Sequence, residues 1–243
     1  WRPFQLAFVL MNLKAMYDRD CNEREIVDLI WFPTGGGKTE AYLGLSAYTI
    51  FIRRLMNKDD VGTAILMRYT LRLLTAQQYE RASAMICACD LIRKENVSLF
   101  GKNRITIGLW VGASTTPNTV KDAVKAYDKL YEGDMKNPFI MLKCPWCGAQ
   151  MGPVLKSNNL WALPGYKKVL GPRRSFGFAF RCYNKACDFS HEDLPLYIID
   201  EHIYDKTPTL LLGTVDKFAM LPFRPKAQSL FGYENGVKKN SPD

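Results

Sequence analysis

Three observations in the sequence predict an α/β fold with a mostly parallel sheet, interrupted by a small cysteine-bearing insertion. Short apolar runs alternate with longer segments patterned at steps of three and four. A glycine-rich turn joins the first run to the first such segment. From about Met141 to about His191 the texture shifts to Gly, Pro, Cys and aromatic residues. The chain has 243 residues, 47% hydrophobic and 23% charged, which suits one large domain or one domain carrying a module and excludes a disordered polymer. The expected organisation is a first part over 1–140, an insertion over 141–193 and a return over 194–243.

Taken in order, Ile26 to Phe32 is nearly continuous apolar sequence rich in β-formers, expected as a strand buried on both faces. Pro33 to Gly37 follows as a turn. Lys38 to about Met56 reads as a helix, apolar almost all round and so expected to be well buried. Ala64–Met67 is the second strand, Leu71–Lys94 the second helix and Ile105–Val111 the third strand. Asn118 then caps a helix carrying Val120, Val124, Tyr127 and Tyr131 at helical spacing. This β-α-β-α-β-α order builds a parallel sheet with helices on its faces. Regular patterning resumes at Leu196–Ile199 and Thr209–Gly213.

No run approaches the roughly 20 apolar residues of a membrane span, and no secretory signal opens the chain, so a cytoplasmic setting without a membrane partner is expected. Seven cysteines, four of them in close pairs, point to a reducing compartment and metal rather than a disulfide framework. The formal net charge of +9 favours an anionic partner, nucleic acid first. The opening at Trp1 and the unpatterned tail 235–243 read as the ends of a piece of a longer protein.

Phe32-Pro-Thr-Gly-Gly-Gly-Lys-Thr39 carries the strongest functional signal. A strand ends, glycines turn, and Gly-Lys-Thr opens a long helix. Consecutive glycines let backbone N–H groups curl around a phosphate, and the helix N-terminus adds partial positive charge. Lys38 would reach the outer phosphates of ATP, and the Thr39 hydroxyl would hold Mg²⁺. The first glycine of the general pattern is replaced by Phe32.

Pro33-Thr-Gly-Gly-Gly-Lys-Thr-Glu40 resembles motif I of superfamily 2 helicases. Arg2-Pro-Phe-Gln5 lies where such helicases carry an element whose glutamine reads adenine. Met67 to Gln78, Ile107 to Gly112 and Gly213 to Ala219 resemble later helicase segments. The wording around the loop, Trp31 to Leu45, is similar to the large helicase component of an anti-phage defence system. The resemblance implies a RecA-like P-loop domain that binds ATP through Gln5, Thr34, Gly35, Gly36, Gly37, Lys38, Thr39 and Glu40. Lys38 and Thr39 would be its catalytic members. It also implies DNA, single-stranded or duplex, as partner, with backbone contacts from Arg68, Thr70, Arg72, Thr214 and Lys217, and protein partners within a defence complex.

Cys144-Pro-Trp-Cys147-Gly and Cys182-Tyr-Asn-Lys-Ala-Cys187 form C-x2-C and C-x4-C pairs 34 residues apart. Four thiolates make a closed tetrahedral Zn²⁺ site, structural rather than catalytic. Phe176, Phe178 and Phe180 alternate on one strand face, expected mainly as the ribbon's core, with a DNA-gripping role beside nearby Lys and Arg as the other reading. Cys87 and Cys89 are expected in a helix core.

Tyr197-Ile-Ile-Asp-Glu-His202 has the letters of the helicase acidic motif. Only nine residues separate Asp200 from Leu210, which predicts that the two runs are not successive parallel strands. Asp200 and Glu201 would then lie on the return from the insertion, with the acidic motif beyond residue 243; a true catalytic pair is the other reading. Two rival functions stand beside the helicase: a P-loop ATPase that remodels proteins, and a zinc-dependent nucleic-acid-binding module without turnover.

Overall fold

The computed structural model describes residues 1–33, 35–70, 72–134, 136–170, 176–234, 237, 238 and 242, with backbone alone at 72–75, 234, 237 and 238. A helix the sequence pattern did not announce opens the chain. This α1 (Pro3–Tyr17) begins with proline in its first turn, where the missing N–H is no loss. It packs on α2 (Lys38–Met56) through an edge-on pair of rings, Phe8 against Tyr42, 5.7 Å between centroids.

Next along the chain come β1 (Ile65–Tyr69), α3 (Arg72–Glu95), the short α4 (Val97–Phe100), β2 (Ile107–Trp110) and α5 (Val120–Tyr131). The insertion supplies β3 (Val154–Leu155), β4 (Trp161–Ala162), β5 (Tyr166–Leu170) and β6 (Phe176–Phe180). Then follow β7 (Leu196–Tyr197), α6 (Asp200–Lys206), β8 (Leu210–Thr214) and α7 (Val215–Ala219). Strands β1, β8, β2 and β7 lie side by side in that order and pair in parallel. The alternation of side chains sorts two cores. Ile107, Leu109, Leu210 and Leu212 join Ile86 and Cys87 of α3 on one face, while Trp110 and Leu211 meet Ile203 of α6, Ala227 and Leu230 on the other. Gly108 marks how closely α6 approaches: a Cβ there would lie 2.6 Å from the Pro208 ring and 3.3 Å from Ile203.

The insertion is built from two antiparallel hairpins, β3–β4 and β5–β6. Phe178 and Phe180 are buried, Phe139 stacks on Phe178 at 4.1 Å, and all three belong to the same core as Ile86 and Ile105. The core reading of these aromatics therefore holds. Phe176, at the rim, is half exposed with the Lys168 ammonium 4.7 Å above its ring. Buried Asp90 ties α3 to the sheet by accepting from Arg93 Nε, Arg104 Nε and the Ile105 N–H at 2.7, 2.8 and 3.0 Å.

Three expectations are corrected. Residues 26–33 form no strand, and Val27, Leu29 and Trp31 are more than 80% exposed. An extended segment becomes a strand only when a neighbour takes its N–H and C=O groups, and none among the described residues does so here. Thr119, not Asn118, caps α5, its hydroxyl accepting from the Asp122 N–H at 3.1 Å. Finally, β7 and β8 are both parallel to β2 in one sheet, joined through α6. The strand ends at Tyr197, so residues 198–209 are free to connect, and a seven-residue helix is enough to return past strands this short.

Candidate functional site

The glycine-rich loop lies between the exposed run ending at Pro33 and α2. Thr34 is outside the described residues. Gly35 and Gly37 take φ of 80° and 91°, a conformation open chiefly to glycine. The Gly36 N–H closes a turn on the Pro33 carbonyl at 3.0 Å. Gly37 is the N-cap of α2 and offers no side-chain cap, so among the described residues the first amides of a 19-residue helix meet no capping acceptor. Such an end favours an anion.

Two side chains from the start of α1 hold this loop. Arg2 Nη1 donates to the Gly36 carbonyl at 2.9 Å, and Gln5 Nε2 donates to the Gly37 carbonyl at 2.7 Å. Gln5 Oε1 accepts from the Arg2 N–H, so the buried amide is engaged at both ends. A Cβ on Gly37 would sit 2.7 Å from Gln5 Nε2. Lys38 folds back, its ammonium donating to the carbonyls of Phe32 and Pro33 at 2.6 and 3.0 Å. Thr39 is half-buried in the first turn of α2, and Glu40 pairs with Arg81 of α3. The Arg81 contact spans 41 residues and had no signal in the sequence.

Of the proposed backbone-contact residues, Arg68 and Thr70 lie at and just beyond the C-terminal end of β1, and both are exposed. Thr214 ends the adjacent β8, in register with Tyr69, and Lys217 follows in α7. The parallel pairing brings these four to one edge of the sheet, where ligands of open α/β sheets commonly bind. The Arg72 side chain is outside the described residues. Arg68 lies 5.9 Å from the centre of the Phe218 ring. Thr214 is buried and its hydroxyl has no hydrogen-bond partner among the described residues. Lys217 is not a free cation: it donates to Asp200 Oδ2 at 2.5 Å.

That ion pair engages Asp200 at the start of α6. Burial raises its carboxyl above the usual carboxylate range, against the pull of Lys217. Glu201 Oε2 accepts from the Val120 N–H at 2.7 Å, closing the start of α5. Neither partnership was legible in the Asp-Glu letters.

Cys144, Cys147, Cys182 and Cys187 converge, their sulfurs all within 4.8 Å of one another. Cys147 and Cys182 are 3.5 Å apart, Cys144 and Cys187 4.0 Å. A tetrahedron with Zn–S bonds of about 2.3 Å has edges of about 3.8 Å, so the donor set suits zinc. Two turns deliver the ligands: the Gly148 N–H bonds to the Cys144 carbonyl at 2.9 Å, and the Cys187 N–H to the Asn184 carbonyl at 2.9 Å. Desolvation pushes the Cys147 thiol up, but the Ala149 amide and the neighbouring thiols outweigh it and bring it down to about 7. The four cysteines can therefore hold a metal ion. Cys87 and Cys89, by contrast, are core residues whose thiols burial pushes up.

The chain is 42% identical, over 97% of its length, to the DISARM protein DrmA of Bacillus paralicheniformis. It spans about a fifth of that relative, 21%. No protein-family model matches the chain. Among the described residues, no helix is long and apolar enough to cross a membrane.

Proposed function

We propose that this chain is a segment of a DrmA-type superfamily 2 helicase or translocase acting in anti-phage defence, and that it carries the first half of an ATP site. The observation that bears most weight is the loop itself: glycines at positive φ, an uncapped helix start, and an α1 that holds the loop carbonyls through Arg2 and Gln5. ATP hydrolysis supplies the free energy for movement along DNA. The amides of 35–39 bind the phosphates, Lys38 exchanges its loop carbonyls for phosphate oxygens, and Thr39 contributes a hydroxyl to Mg²⁺. Gln5 and Glu40 frame the site, and Thr34 completes the loop. Arg68, Thr70 and Arg72 contact the DNA backbone, Lys217 joins them by exchanging Asp200 for a phosphate, and Thr214, buried at the end of β8, joins them only as that strand end opens. Zinc at the four cysteines holds the insertion together. The wider identity to a DISARM protein supports partner proteins in a defence complex and a cytoplasmic setting.

The test is DNA-stimulated ATP turnover in a protein of the relative's full length, with and without Lys38→Ala. Turnover in the unaltered protein, reduced roughly 10²-fold or more by the substitution, is expected from loss of a phosphate-directed cation. Equal turnover in both proteins would overturn the reading. This 243-residue chain alone is expected to bind nucleotide weakly.

A further inference from the structure

We propose that the metal-ligating insertion carries a second nucleic-acid site, a pocket that seats an unstacked base of a single strand. The pocket is a hollow of about 570 Å³ between the end of α5 and the β3–β4 hairpin. Its walls include three aromatic rings, Tyr131, Trp161 and Tyr183, with Gln150 and Lys156 at the edge. Tyr131 and Tyr183 are each more than half exposed.

Large aromatic rings normally bury their area in a core, as Phe178 and Phe180 of β6 do. Three such rings left around an open hollow offer faces on which a planar group can stack. Trp161 packs closely on the turn after α5: a Cβ on Gly133 would lie 2.7 Å from its Nε1.

Charge decides which planar ligand. From Lys143 to Cys187 the sequence has eight Lys or Arg and no Asp or Glu. Two of the eight are neutralised from outside that stretch, Lys168 by Asp128 and Arg181 by Asp193. Lys143, Lys156, Lys167 and Lys185 form no ion pair with a carboxylate among the described residues. A polyanion with flat, stackable groups answers both features, and single-stranded nucleic acid is that polymer. A duplex keeps its bases stacked on each other and cannot use the pocket. This site is separate from the strand ends at Arg68 and Lys217 and needs neither ATP nor the phosphate loop.

The experiment measures binding of a fluorescent oligothymidine and of a blunt duplex to the 243-residue chain without nucleotide, for wild type, Trp161→Ala, Tyr183→Ala and Lys156→Ala. Zinc content checks that each variant keeps its insertion. Stacking on one ring is expected to matter by about 1–3 kcal/mol, so Trp161→Ala should weaken single-strand binding roughly 5- to 150-fold and leave the duplex unchanged. Tyr183→Ala, at the surface, should do the same more mildly should Trp161→Ala lose its metal. Lys156→Ala should weaken the single strand and flatten its salt dependence. Single-strand binding that no variant changes would overturn the site while leaving the motor reading to its ATPase test, as would equal losses on single strand and duplex with zinc retained. Absence of any single-strand binding by wild type would also overturn it, and would favour a protein segment as occupant.

Discussion

At the scale of single residues, burial is tolerated here by two different means. Asp90 stays buried because Arg93, Arg104 and a backbone N–H surround it, and removing one partner of such a cluster leaves an uncompensated charge. His202, partly buried, has no carboxylate bonded to it among the described residues. Desolvation on α6, with the Lys206 cation adding to it, pushes its imidazole down to about 4, and Asp205 opposes only in part. The sign follows from linkage. Below about pH 6.5 the unfolded chain takes up a proton that the folded imidazole refuses, so stability falls as pH drops from about 6.5 towards 4 and is flat above. The full effect is at most about 3 kcal/mol. Urea midpoints compared at pH 7 and pH 5 should differ for wild type and converge for His202→Gln. Equal slopes in the two proteins would show that other groups govern the acid limb.

At the scale of elements, what the sequence disclosed follows the range of the forces involved. Helix α2 was legible to its ends because glycines precede it and its pattern is local. The cysteine site was legible because each ligand pair is set by its own turn, and only the pairing of two turns was left to the fold. By contrast, α1 buries Gln5, Asn12 and Ala15 while Leu6, Leu10 and Met11 are exposed, so no apolar stripe announces it, and Thr119, next to the expected Asn118, takes the α5 cap. The crossover α6 was misjudged because strand β7 stops at Tyr197, a boundary that apolar letters running to Ile199 do not show. The role of Asp200 depended on Lys217, seventeen residues on, and so on tertiary packing. The cysteine site also sets an element-level prediction. The insertion shares its core with α3 and the sheet through Phe139, Phe178 and Ile86, so its loss is not confined to the hairpins. Stripping the metal with a chelator, or Cys182→Ser, should lower the melting temperature of the whole chain in a single transition. A separate early transition would mean that the insertion melts on its own.

At the scale of the whole molecule, an open edge and an uncovered run face the solvent together. Among the described residues, strand β1 is the last strand of its sheet, and beside it lies a cavity of about 420 Å³ walled by Tyr42, Leu45, Ile65 and Met67. Residues 26–32 are seven largely apolar β-formers with no sheet partner among the described residues. An unpaired edge and an exposed apolar β-run are the two ingredients of strand addition between molecules. The net charge of +9 opposes that association by mutual repulsion, and salt screens the repulsion. The isolated chain is therefore expected to remain dispersed at low ionic strength and to self-associate as salt is raised, followed by light scattering. Leu29→Lys with Trp31→Lys should suppress the rise, since both side chains are more than 80% exposed and support no packing whose loss would unfold the chain. Association of the double variant at the wild-type salt concentration would place the sticky surface elsewhere than residues 26–32.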